Sequence, residues 1–209
     1  MRSNSDHAPD WTGARIAVVA FVCLAALSGG AMAQSPQAPK LTPQLMRIRT
    51  ALDKYQDPVV AVHDGFLSTV GCIEFPAGGM EMGSMQYPPG AMGVHFLNMG
   101  NVGPTLDSLK PQVLIYEPVG DRLQLVAAEW FVPSNLVKTA PTIFGQQLQG
   151  PMEGHEPVIP AALHHYDLHV WLWRNNPKGV FTPTNAAVKC PKSPYSFQDK
   201  APKMVKPGQ

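Results

Sequence analysis

The sequence predicts an α+β domain in which an N-terminal helix or pair of helices packs on a curved antiparallel sheet of about four strands or more. Three observations lead there. Apolar residues recur at three- and four-residue steps between Leu41 and Tyr55, strict alternation takes over from His95 onward, and the strand-like runs are short and bounded by Gly, Pro, Asn or Asp. An antiparallel sandwich or barrel is the alternative architecture.

The chain opens on an export signal. Arg2 and Arg15 precede an apolar run from Ile16 to Leu27, and Ala31-Met32-Ala33 suits a signal peptidase. The run is shorter than the roughly 20 residues of a spanning helix, and Gly29-Gly30 interrupts it. An uncleaved anchor is the rival reading. Cleavage near Ala33 leaves a chain exported to the periplasm or the medium, with a flexible leader at 34–40, one globular domain over 41–195 and a flexible tail at 196–209. After the signal nothing is apolar enough to cross a membrane, and no cysteine follows the cleavage site to carry a lipid.

In LTPQLMRIRTALDKY, Leu45, Ile48, Leu52 and Tyr55 form one face, and Thr42-Pro43 supplies a cap and a first-turn proline. Gln56-Asp57-Pro58 breaks this helix. VVAVHDGFLS continues as a second short helix ending near Gly65, with Asp57 as its N-cap. GVHFLN, PQVLIYEP, DRLQLVAAEWFVP and HYDLHVWLWR are the four strands, and the turn Pro118-Val119-Gly120-Asp121 joins the middle two in a hairpin. Residues 133–163, with five prolines, read as a surface excursion, and Asn175-Asn176-Pro177-Lys178-Gly179 as a turn off the last strand.

Cys23 leaves with the signal, so Cys72 and Cys190 remain in a compartment where disulfides persist. One bond between them closes a loop of roughly a hundred residues, worth about 4–5 kcal/mol on the chain-entropy model. Two thiolate metal ligands are the alternative, but neither cysteine has a second cysteine or histidine at ligand spacing.

Strand alternation brings candidate ligands together. Asp167, His169, Trp171 and Trp173 share one face of the last strand, Leu123, Leu125, Ala127, Glu129 and Phe131 one face of the third, and His95 alternates with Val94 and Phe96 in the first. His95, Glu129 and His169 are therefore the candidate site, flanked by Trp171 and Trp173, with Glu117 as reserve carboxylate. Two imidazoles and a carboxylate suit Zn, Cu, Ni or Fe(II), and a small organic ligand is the other occupant of such a cavity. A core in which each histidine is satisfied by a glutamate or a carbonyl gives the same letters. His164-His165 adds little, because neighbours on a strand face opposite ways.

The segment GGMEMGSMQYPPG carries Met80, Met82 and Met85, thioethers that select Cu(I) and define a soft-metal loop. Its glycines and prolines leave that loop without a set geometry. Other chemistry finds less support. Charge is nearly balanced, 16 basic against 15 acidic residues, with no basic run, so nucleic acid is not an expected partner. No pair of carboxylates is forced together and no serine sits in a nucleophile elbow. The reading is an exported protein that binds a metal ion or small ligand in a sheet cavity. A metal-dependent enzyme, an envelope structural or interaction module, and copper handling through the methionine loop are the alternatives.

GAMGVHFLN at 90–98, VLIYEP through RLQLVAAEWFVP at 113–133, and LHVWLWRNNPKGVFTPTNAAVKC at 168–190 together resemble a family of exported bacterial proteins of unknown function. KYQDPVVAVHDGF at 54–66 and IFGQQL at 143–148 extend the resemblance over most of the mature chain. It implies no activity or cofactor. The methionine-rich insert between Cys72 and Gly90 looks peculiar to this member, which favours the His95, Glu129 and His169 set as the working part.

Overall fold

The computed structural model describes residues 38–79 and 82–206. The expected export signal over 1–33 and Met80 lie outside the described residues. Thr42 caps α1 (Pro43–Leu52), its hydroxyl accepting from the Leu45 amide at 3.3 Å, and Leu45, Ile48 and Leu52 form the buried stripe. A single turn of 3₁₀ helix over Asp53–Gln56 leads to α2 (Pro58–His63), where the Asp57 carboxylate accepts from the Val59 amide at 2.9 Å. The two-helix expectation and both caps hold.

The strands are β1 (Leu67–Phe75), β2 (Gly90–Leu97), β3 (Val113–Val119), β4 (Arg122–Pro133), β5 (Thr142–Ile143), β6 (Gln146–Gln147), β7 (Gln149–Met152), β8 (His165–Val170) and β9 (Ser196–Gln198). Seven of them form one curled sheet in the order β7-β8-β4-β3-β2-β1-β9, while β5 and β6 make a separate short hairpin. β3 and β4 pair as the expected antiparallel hairpin. The sheet is mixed, because β9 runs parallel to β1 with Cys72 opposite Ser196. The molecule is thus mostly β with little helix, and its sheet is mixed where the sequence reading expected an antiparallel one.

The helices cover one face. Leu45, Ile48 and Leu52 pack with Leu114, Tyr116, Trp130, Leu168 and Val170, and the Tyr116 hydroxyl donates to the Tyr55 carbonyl at 2.6 Å. On the other face two apolar clusters form, one of Val113, Ile115, Ala127 and Trp171, the other of Ile73, Phe75, Tyr87, Met92 and Met152. The disulfide joins Cys72 of β1 to Cys190 with a Cα–Cα separation of 5.6 Å. No helix among the described residues is long and apolar enough to cross a membrane, which says nothing of a β-barrel.

Two segments differ from expectation. The stretch 133–163 is not purely a surface excursion, because Leu148, Met152, His155 and Ile159 are buried. Residues beyond 195 carry β9 and bond the Pro202 and Lys203 carbonyls to the amides of Met85 and Glu153. Both are tertiary effects. Prolines punctuate a segment without fixing its depth, and a three-residue parallel strand depends on a partner more than a hundred residues away.

Candidate metal centre

Three strands deliver the candidate ligands. Across β4 and β8, Glu129 stands opposite His169 and Phe131 opposite Asp167. Across β3, Val113 stands opposite Glu129 and Ile115 opposite His95 of β2. Directly opposed residues share a face, so His95, Glu129 and His169 lie on the side away from α1. A register shift between β3 and β4 at Ile115/Tyr116 breaks the row read from sequence: Leu125 packs with the helices, whereas Ala127 stays on the site's side. Gly93, two residues before His95, has φ +108°, and a Cβ there would lie 2.6 Å from the Tyr116 carbonyl oxygen. Glycine lets β2 approach β3 this closely just where it delivers His95.

His95 Nε2 and His169 Nε2 each stand 3.6 Å from the same oxygen, Glu129 Oε2. The three residues are 3 % exposed or less. A distance of 3.6 Å is too long for an N–H···O hydrogen bond. It is close to the roughly 3.3 Å that separates two ligand atoms on a tetrahedral ion with bonds of about 2.0 Å. One donor atom from each residue lies within 4.8 Å of the others, and Glu129 Oε2, His95 Nδ1 and both nitrogens of His169 have no hydrogen-bond partner.

Burial sets the protonation states. It pushes His95 down to about 3, with the neighbouring His169 adding to the effect, and it lowers His169 as well. Both rings are held in the neutral form that ligates metals. Burial raises Glu129 well above the ordinary carboxylate range, and Asp167 pushes it further. A cation beside Glu129 reverses that shift by favouring the charged form.

The cluster extends beyond the three residues predicted. Asp167 Oδ2 stands 3.6 Å from His165 Nε2 and 3.9 Å from His169 Nδ1. Beyond His165 lies His155, with ring centroids 5.8 Å apart, its own ring against those of Phe75 and Tyr87. One donor atom each of His155, His165 and Asp167 again fall within 4.8 Å of one another. Burial takes His155 down to about 3. Among the described residues, nine of the eleven buried side-chain nitrogen and oxygen atoms without a hydrogen-bond partner belong to these six. Alternation does reveal two of the additional three, because His165-x-Asp167-x-His169 is a period-two pattern on one strand face. His155 lies outside any regular element and has no such signal.

The remaining predicted site residues lie elsewhere. Glu117 is bound into structure, its Oε1 accepting from the Lys189 amide at 3.0 Å and its Oε2 standing 2.8 Å from Arg174 Nη2. Trp171 is on the site's side of the sheet, buried, with Nε1 donating to the Thr182 carbonyl at 2.5 Å. Trp173 is not: β8 ends at Val170, alternation ends with it, and Trp173 packs with the helix-side core while donating to Asp53 Oδ1 at 2.6 Å. Met82 is fully exposed, whereas Met85 is buried beside Phe75 and Tyr87, so these two thioethers do not share a pocket. Burial of Met85 follows from anchoring the loop by bridges from Gly79 to Tyr87 and from Ser84 to Lys203.

No family model, curated protein or solved structure matches the chain. The centre is therefore read from its own geometry.

Proposed function

We propose that this is an exported metal-binding protein that holds a first-row transition-metal dication, such as zinc, copper(II) or iron(II), between His95, Glu129 and His169. One observation carries the proposal: two neutral imidazoles aim their Nε2 atoms at a single buried carboxylate oxygen, both at ligand-to-ligand rather than hydrogen-bond distance. The donor set of two nitrogens and one oxygen suits borderline dications and leaves a coordination position for water. Burial of every ligand fits an ion that is retained rather than one presented to a substrate. The Cys72–Cys190 bond supports an oxidising compartment.

The test is metal content. The exported chain is purified from an oxidising compartment without chelator or affinity tag, and its metals are counted by plasma mass spectrometry beside His95→Ala and Glu129→Gln. Wild type is expected to carry at least one ion per chain, and each variant one fewer, with the near-ultraviolet circular dichroism of a packed core retained. Failure of wild type to bind added Zn2+, Cu2+ or Fe2+ overturns the proposal, as does unchanged stoichiometry in both variants.

A further inference from the structure

In the second histidine group a backbone contact fixes the tautomer of one ring. His165 Nδ1 lies 3.0 Å from the Leu163 carbonyl oxygen. A carbonyl only accepts, so Nδ1 carries the proton. In the neutral ring Nε2 is then a lone pair, and it faces Asp167 Oδ2 at 3.6 Å in a buried setting. Two acceptors facing each other repel unless a cation lies between them. A doubly protonated His165 would relieve the repulsion by a charge-assisted bond, but such bonds draw to about 2.7–2.9 Å. An Nδ1–H held by a backbone carbonyl is also the usual outer-shell contact that orients a metal-ligating histidine.

His155 completes the set. Its two ring nitrogens are buried without a hydrogen-bond partner, as are both oxygens of Asp167. Its ring stands against those of Phe75, Tyr87 and His165, and one of its nitrogens lies within 4.8 Å of a ligand atom of Asp167 and one of His165. We infer that His155, His165 and Asp167 form a second site for a first-row transition-metal dication, in the same interior cluster as the first. This site stands on its own residues. Its linkage to the first rests on the function proposed above: Asp167 ligates the second ion, and its charge stands 3.9 Å from Nδ1 of His169, a ligand of the first.

Ion counting by native mass spectrometry separates the two claims. The exported chain is stripped with chelator, then titrated with Zn2+ and, separately, Cu2+, as wild type, His95→Ala, His155→Ala and Asp167→Asn. Two ions in wild type, one in each histidine variant and weakened binding of both in Asp167→Asn are expected. One ion in wild type, lost with His95 but kept in His155→Ala, overturns the second site and leaves the first. One ion lost with His155 but kept in His95→Ala supports the second site and overturns the first. Two ions retained in His155→Ala, or none bound by wild type, overturns the inference. Should His155→Ala fail to fold, His155→Phe keeps a ring against Phe75 and Tyr87 and removes the nitrogens, so the same count decides.

Discussion

Replacing Glu129 by glutamine separates the two ways in which its buried carboxyl can be accommodated. Without a metal, burial holds the group well above its ordinary value of 4.5, so above pH 4.5 folding favours the protonated form. Each pH unit between 4.5 and the raised value costs about 1.4 kcal/mol. Glutamine has nearly the same shape and no such cost. The chelated Glu129→Gln chain is therefore expected to match or exceed wild type in stability. With metal the balance changes. An ion at 100 times its Kd stabilises the native state by about 2.7 kcal/mol. At about 2–4 °C per kcal/mol for a domain of this size, that is a rise in melting temperature of roughly 5–11 °C. Scanning calorimetry of both chains, with chelator and with Zn2+, is expected to show a metal-induced rise smaller by about 5 °C or more in Glu129→Gln. Equal rises in the two chains refute the reasoning. So does a chelated variant that is several kcal/mol less stable than wild type, because the carboxyl would then be stabilising the fold with no ion involved.

Acid should destabilise the metal-free protein. His95 and His155 are lowered from 6.5 to about 3, so their contribution is present above pH 6.5 and is lost as pH falls toward 3. Two such groups give a slope approaching about 3 kcal/mol per pH unit. Glu129, raised, has the opposite sign above 4.5, but it is one group against two, and urea midpoints in chelator should still fall between pH 6.5 and 4; a flat profile contradicts the burial argument. Replacing Cys72 and Cys190 by serine opens a loop of 118 positions, expected to cost about 4–5 kcal/mol on the chain-entropy model, and a loss under 1 kcal/mol by denaturant titration would show that the link constrains little. Glu117→Gln should lower stability by about 1–3 kcal/mol by weakening the partner of Arg174 while leaving the metal count unchanged; a lost ion would return Glu117 to the site.

Periodicity made α1, α2, the β3–β4 hairpin and the face shared by His169 and Asp167 legible, because those features follow from neighbours in sequence. It failed where the chain departs from regularity. β1 carries Val70 at φ +68° and a register break between Ser68 and Cys72, so its letters show no clean alternation and its first residues read as the end of a helix. Alternation extended past Val170, where β8 stops, puts Trp173 on the wrong face. The neighbouring His164 obscures His165, whose two-residue spacing to Asp167 is the better guide. His155 was invisible for a deeper reason: it becomes a site residue only through the packing of residues 153–163 over the sheet, which no local pattern encodes.

The fold supplies its own control for reading the six-residue cluster. Elsewhere, buried polar side chains are met with care. Gln112 donates to the Asn101 carbonyl at 2.7 Å and accepts from the Phe131 amide at 3.0 Å, Asn176 donates to the Thr184 carbonyl at 2.8 Å, and Asn185 donates to the Asn175 carbonyl at 3.1 Å. These are neutral groups, each costing about 1–3 kcal/mol if left unpaired. The cluster contains two carboxyls, whose desolvation as ions costs several kcal/mol each, and yet its nitrogens and oxygens stand 3.6–3.9 Å apart. A chain that satisfies its cheaper groups so closely and spaces its most expensive ones beyond hydrogen-bond reach is not merely loosely packed there. Spacing of this kind costs least when a small cation fills the gap, and that is the physical reason to look for metal before any other ligand.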